Sequence, residues 1–278
     1  MEEILYVNPL LMTSPRMILP DTPSADGAPA PLVGSVATLP AMDAASPEGS
    51  CLQHTDPARL LLAGKNTVVV LGNGAFPVHP EVLNLLRTAP RVVCCDGAVR
   101  GLLRAGREPD FIVGDMDSLC PDLAARFSDR LVCIADQQTN DQTKAVHFCA
   151  ARGWTDVRIV GATGLREDHT LGNLSLLGTY LSLPVQVCSL TDHGIFLAVR
   201  QRVQIPCIPG QVVSVFSFTP QVPLTTRGLQ YPLHDRPLLH WWEGTLNRTV
   251  GTSFELDFSN GVFMVYVGYP QIPAGCQI

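Results

Sequence analysis

From Thr67 to about residue 183, short apolar and β-branched runs alternate with stretches whose apolar residues recur at helical spacing. That alternation predicts strand-helix units laid into a mostly parallel sheet. Strands are expected at 67–71, 91–95, 110–113, 131–134 and 157–160. Pro80 is placed to open the helix after the first strand, with Val82, Leu85 and Leu86 on its inner face. Further helices run through Leu102 and Leu103, from Asp141 to about Ala151, and along Leu171, Leu174, Leu177 and Leu181. Beyond Pro184 the pattern changes to short strands separated by turns, at 185–189, 194–199, 202–207, 211–218, 253–258 and 262–267. The last two flank Ser259-Asn260-Gly261, a hairpin signal. Residues 1–63 are rich in Pro, Ala, Ser and Gly and hold no sustained period. The expected organisation is a disordered or loosely docked extension (1–63), a three-layer α/β domain (64–183), a β-sandwich domain (184–270) and a tail (271–278).

Composition narrows the classes. Of 278 residues 46% are hydrophobic and 16% charged, so most of the chain is expected to pack. A formal net charge of −6 argues against a surface for nucleic acid. No apolar run is long enough to span a membrane, and the opening Met1-Glu2-Glu3 lacks the basic start and apolar core of a signal peptide. The nine cysteines are scattered without a Cys-x-x-Cys pair, which favours reduced thiols and a cytoplasmic protein.

Candidate chemistry collects in the loops that follow the predicted parallel strands, the edge where open α/β sheets bind ligands. After the third strand stands Gly114-Asp115-Met116-Asp117-Ser118. On an extended backbone Asp115 and Asp117 would point the same way, roughly 7 Å apart, which suits one Mg²⁺ over a polyphosphate. Aspartates capping a turn give the same pattern. After the fourth strand, Asp141 and Lys144 share a face of the first helical turn. They suit metal or proton chemistry and neutralisation of phosphate; equally, Thr139 or Asn140 caps the helix and Asp141 answers its dipole. After the fifth strand, Gly161-Ala162-Thr163-Gly164-Leu165-Arg166-Glu167-Asp168-His169 offers backbone N–H groups, a helix N-terminus and a guanidinium to an anion, or a capped helix start. Gly72-Asn73-Gly74 and Asp96-Gly97 end the first two strands, without a Walker sequence.

Cys95-Asp96-Gly97-Ala98, Pro109-Asp110 with Gly114 to Ser118, Asp141-Gln142-Thr143-Lys144-Ala145 and Gly161 to Asn173 together resemble the thiamine pyrophosphokinases, over about Thr67 to Val267. The resemblance implies an α/β nucleotide-binding catalytic domain followed by a thiamine-binding β-sandwich. It also implies a homodimer with active sites between subunits, and transfer of diphosphate from Mg-ATP to thiamine, giving thiamine diphosphate and AMP. It assigns Asp115, Asp117 and Asp141 to Mg²⁺ and triphosphate, with Lys144 and Arg166 completing the catalytic set. Asn73, Asp96, Gly97, Gly161, Thr163, Gly164, Arg166, Asp168 and His169 fall to the ATP side. Gln137, Asp141, Tyr231, Thr245 and Asn247 fall to the thiamine side. Two departures lie in the thiamine-facing segments, Tyr231 where tryptophan is usual and Leu246 where serine is usual. They leave open a diphosphokinase for another heterocyclic alcohol such as a pterin. A non-catalytic nucleotide-binding regulator of the same fold is the remaining alternative.

Overall fold

A computed structural model describes residues 56–270. The extension before residue 56 and the tail 271–278 lie outside the described residues. The strands are β1 (Thr67–Leu71), β2 (Arg91–Cys95), β3 (Phe111–Gly114), β4 (Leu131–Cys133), β5 (Asp156–Val160), β6 (Gln186–Leu190) and β7 (Gly194–Val199). They continue as β8 (Val203–Pro206), β9 (Val212–Ser217), β10 (Pro223–Arg227), β11 (Arg236–Pro237), β12 (Asn247–Arg248), β13 (Ser253–Asp257) and β14 (Phe263–Gly268). The helices are α1 (Pro57–Leu60), α2 (Pro80–Thr88), α3 (Val99–Arg104), α4 (Pro121–Arg126), α5 (Asp141–Ala151) and α6 (Glu167–Tyr180).

Ten strands form one mixed sheet in the order β12-β9-β14-β7-β6-β5-β1-β2-β3-β4. Strands β6 to β4 in that order are parallel, and β6 onward to β12 the pairing is antiparallel. The architecture is therefore α/β at the start and strand-rich at the end. The sheet runs unbroken through residue 184, since β6 pairs with β5 on one side and β7 on the other. A second sheet, β11-β10-β13-β8, supplies the other layer of the sandwich.

Alternation along the parallel strands builds two cores. Val69, Leu71, Val92, Cys94 and Ile112 face α2, α3 and, further along the sheet, the inner residues of the four-stranded layer. Val68, Val70, Val93, Cys95 and Val113 face α5 and α6 through Val146, Cys149, Leu174, Leu177 and Tyr180. Burial on both faces explains why these strands read as continuous apolar runs.

Three differences from the sequence expectations have physical causes. Residues 253–258 and 262–267 do not form a hairpin: β13 pairs with β10 and β8, whereas β14 pairs with β7 and β9. Asn260 adopts the positive φ (53°) that the turn calls for, but the turn carries the chain from one sheet to the other. Within the segment expected to be an extension, α1 is fixed from below by Arg158. This buried guanidinium donates to the carbonyls of Arg59, Leu60 and Leu62 and pairs with Asp156. Strands β10, β11 and β12 and helix α4 are further elements that periodicity did not reveal.

Candidate active site

The parallel strand order reverses between β1 and β5, so the loops that follow them diverge above the sheet. Backbone hydrogen bonds close that crevice at its base: the N–H of Gly72 donates to Val160, that of Gly74 to Gly161 and that of Ala75 to Thr163, at 2.7–2.8 Å. Glycine is required for this approach. A Cβ on Gly74 would lie 2.5 Å from the carbonyl oxygens of both Gly161 and Thr163. A Cβ on Gly97 would likewise strike the Asn73 amide, so Asn73 and Gly97 meet at the ends of β1 and β2.

Next to this loop pair stand the carboxylates. Parallel β2 and β3 run in register Cys95↔Val113, which sets Asp96 beside Gly114 and the start of the Asp115 turn. Gly114 lets the strand pass over Asp96, because a Cβ there would meet the Asp96 carboxyl at 3.0–3.2 Å. Asp96, only 2% exposed, accepts N–H groups of Gly97 (2.6 Å) and Ser118 (3.4 Å). Burial, then the charge of Asp141, pushes its carboxyl above the ordinary aspartate range against those two hydrogen bonds. Asp115 Oδ1 accepts the Asp117 N–H at 3.3 Å, and its Oδ2 accepts Gln137 Nε2 at 3.1 Å and Lys144 Nζ at 3.5 Å. These contacts, the Asp117 N–H first, hold the Asp115 carboxyl below its usual range. Asp117 is exposed and accepts the Ser118 hydroxyl at 3.0 Å.

One oxygen from each of Asp96, Asp115 and Asp117 falls within 4.8 Å of the others. The Asp115–Asp117 link is not extended, as the sequence reading assumed. Met116 sits at φ 71° and turns the chain. Three hard oxygen donors converging from two strand ends fit a Mg²⁺ ion.

Asp141 opens α5 and pairs with Lys144 at 3.0 Å, while Asn140 caps the helix by accepting the Thr143 N–H at 2.9 Å. Lys144 is 4% exposed and spans Asp141 and Asp115. Burial pulls its ammonium down, but the Asp141 hydrogen bond and the two carboxylate charges outweigh it and raise the pKa. The lysine thus faces inward to carboxylates. On α6, Arg166 grips Asp168 by two bonds of 3.1 and 2.5 Å, and the His169 N–H donates to the same carboxylate at 2.9 Å. This holds Asp168 down at about 2. All three are exposed and bond to one another.

One residue that the sequence reading did not assign ties the loops together. Asn173 donates from Nδ2 to the carbonyl of Ala162 (2.8 Å) and accepts Asn140 Nδ2 (2.9 Å). Its carbonyl accepts Gln142 Nε2 at 3.1 Å. In the sequence it closes the Gly161–Asn173 stretch that carries part of the resemblance, as a polar side chain on the α5-facing side of α6.

Tyr231, Thr245 and Asn247 lie elsewhere. The Tyr231 N–H donates to Asn247 Oδ1 (3.1 Å), Asn247 Nδ2 returns to the Tyr231 carbonyl (2.8 Å), and Thr245 Oγ1 donates to Trp242 (2.8 Å). This group sits at β12, eight strands from β3 in the sheet order. At about 4.8 Å per strand the separation is on the order of 38 Å. Trp241 packs edge-on against Phe216 and Phe218 and donates Nε1 to Ser217 (3.1 Å). Its neighbour Trp242 is 72% exposed and Leu246 is 84% exposed.

Two family models match in succession. Residues 82–188 match the thiamin pyrophosphokinase catalytic domain, and residues 194–266 match the thiamin pyrophosphokinase substrate-binding domain. Thiamine pyrophosphokinase 1 of Oryza sativa subsp. japonica is 29% identical over 105 residues, covering 34% of this chain and 39% of that protein. Thiamin pyrophosphokinase 1 of Caenorhabditis elegans is 31% identical over 125 residues, covering 42% of this chain and 51% of that protein. The chain thus spans two fifths to half of the length of these relatives. Thiamin pyrophosphokinase from Candida albicans shares the fold, with a TM-score of 0.65 at 18% identity over 77% of this chain and 92% of that one. Both halves of the fold therefore match one family in the same order, and the carboxylates and glycine loops lie inside the matched residues: the chain belongs to the thiamin pyrophosphokinase family.

Proposed function

We propose that this protein is a thiamine diphosphokinase, moving the terminal diphosphate of Mg-ATP onto the hydroxyethyl oxygen of thiamine with release of AMP. The observation that carries the reading is the group of Asp96, Asp115 and Asp117 at the strand ends, beside glycine loops, in a chain matched by both family models. Asp115 and Asp117, with Asp96 beside them and Asp141 alongside, would hold Mg²⁺, which when bound supplies neutralisation of triphosphate charge. Transfer of this kind asks chiefly for positioning and charge stabilisation. Gln137 and Lys144 fix the orientation of Asp115, and Lys144 also fixes Asp141. The Gly161–Gly164 turn leaves backbone N–H groups near the start of α6 for phosphate oxygens, and Arg166 adds an exposed guanidinium there. Free thiols at all seven described cysteines accord with a cytoplasmic setting.

We further propose a homodimer in which one copy presents the carboxylates and its partner the thiamine side. The separation of about 38 Å between β3 and β12 is too great for one chain to bring both groups to one thiamine molecule. Exposed Trp242 and Leu246 beside Asn247 offer apolar surface for the second copy.

Incubation with thiamine and Mg-ATP followed by product identification tests the activity. AMP with thiamine diphosphate is expected; ADP with thiamine monophosphate, or no thiamine product, would overturn it. For the dimer, Asp117→Asn and Asn247→Ala proteins, each inactive, should regain activity when dissociated and reassembled together. Persistent inactivity of the mixture would refute the shared site.

A further inference from the structure

Four non-glycine residues among those described have positive φ: Met116, Asp235, Leu246 and Asn260. For Asp and Asn the left-handed region is a familiar excursion, since their short polar side chains bond locally. For methionine it is a strained state that its surroundings must enforce. Met116 stands between Asp115 and Asp117. An extended residue there would leave the two carboxyls roughly 7 Å apart along the strand direction. The left-handed residue instead folds the chain back, so that the Asp117 N–H reaches Asp115 Oδ1 (3.3 Å) and the Ser118 N–H reaches Asp96 Oδ2 (3.4 Å).

The surroundings supply the enforcement. Before the turn, Gly114 is held by the Ile134 N–H on its carbonyl at 2.8 Å and by the close pass over Asp96. At the turn itself, the Met116 side chain packs against the core that contains Ile112 and Leu119. The side chain thus anchors a peptide whose preferred geometry would open the cluster.

We propose that Met116 is a positioning residue whose left-handed backbone brings Asp96, Asp115 and Asp117 together into one cation site. The inference rests on the Mg²⁺ reading of these carboxylates, and its test separates the two. A thioether is a poor ligand for a hard cation such as Mg²⁺ or Mn²⁺, so the part of Met116 is conformational.

The test measures Mn²⁺ binding by electron paramagnetic resonance and by calorimetry in wild type, Met116→Ile, Met116→Gly and Met116→Asn, with circular dichroism and melting to confirm folding. Isoleucine keeps an apolar side chain of similar bulk but resists the left-handed region, so Mn²⁺ affinity should fall by about tenfold. Glycine and asparagine lose the packing but accept positive φ, so affinity should stay within about threefold of wild type. Wild-type affinity in a folded Met116→Ile protein would overturn the proposal. Equal weakening in all three variants would overturn it too, by tracing the effect to side-chain packing. Failure of the wild type to bind Mn²⁺ would bring down the metal reading itself, and this inference with it.

Discussion

Replacing Lys144 by methionine removes an internal cation while keeping most of the side-chain volume. Its Nζ lies 3.0 Å from Asp141 and 3.5 Å from Asp115. With an effective dielectric near 20, each pair is worth about 5 kcal/mol of gross attraction. Most of this is cancelled by the cost of withdrawing the ammonium from water, since the lysine side chain is only 3% exposed. The carboxylates keep 19% and 30% exposure and can rehydrate once the lysine is gone. The net loss should therefore sit at or below the low end of the 3–5 kcal/mol usual for a broken buried pair, about 2–3 kcal/mol. For a folded unit of this size that lowers Tm by about 4–12 °C. Magnesium should return part of the loss, because the variant's clustered carboxylates lack their internal counter-charge. Thermal melts with EDTA and with magnesium chloride, on wild type and variant in parallel, measure both effects. A Tm within about 2 °C of wild type would show that the ion pairs contribute little. A magnesium-induced shift no larger than in wild type would refute the reading of Lys144 as the internal counter-charge of these carboxylates.

Asp96→Asn should raise the metal-free melting temperature at neutral pH. The folded Asp96 pKa is raised, so between about 3.8, its unfolded value, and that higher value the folded state holds a proton that the unfolded state has lost. Stability contributed by this site therefore falls as pH rises through that window, and the advantage of asparagine should vanish below it; a neutral-pH melt at or below wild type would count against this. Asp117→Asn, at an exposed turn, should abolish turnover with stability changed by less than about 0.5 kcal/mol, read by product assay and by melting. Gly74→Ala forces apart the β1 and β5 loops at the 2.5 Å contacts, so a loss of about 1–3 kcal/mol and a higher KM for ATP are expected.

What could be read from the chain followed how local its cause was. Strands β1, β2 and β3 stand out because they are buried on two faces and are apolar almost throughout, whereas β4 at the sheet edge and β5 with its buried Arg158 show the pattern less cleanly. Strand β10, Pro223-Leu224-Thr225-Thr226-Arg227, alternates one buried residue with one outward residue and begins at a proline, so it resembles a loop. Asn260-Gly261 states only that the chain turns. Whether β13 and β14 then pair or separate depends on partners tens of residues away, and both outcomes keep Phe254, Leu256, Phe263 and Val265 in one core. The same division runs through the site. Asp115 and Asp117 were visible as a motif, but their mutual geometry depends on Met116, whose conformation goes against its own preference and is imposed by packing. Asp96 was visible as the end of a strand and within the resemblance motif Cys95–Ala98, but not as a neighbour of Asp115 and Asp117. Its place beside them follows from the β2–β3 register, in which Cys95 pairs with Val113. The residues proposed for the thiamine side are the limiting case: no register within one chain carries Asn247 across eight strands to Asp115, so under the proposed dimer the information that completes the site would lie in the surface between the copies.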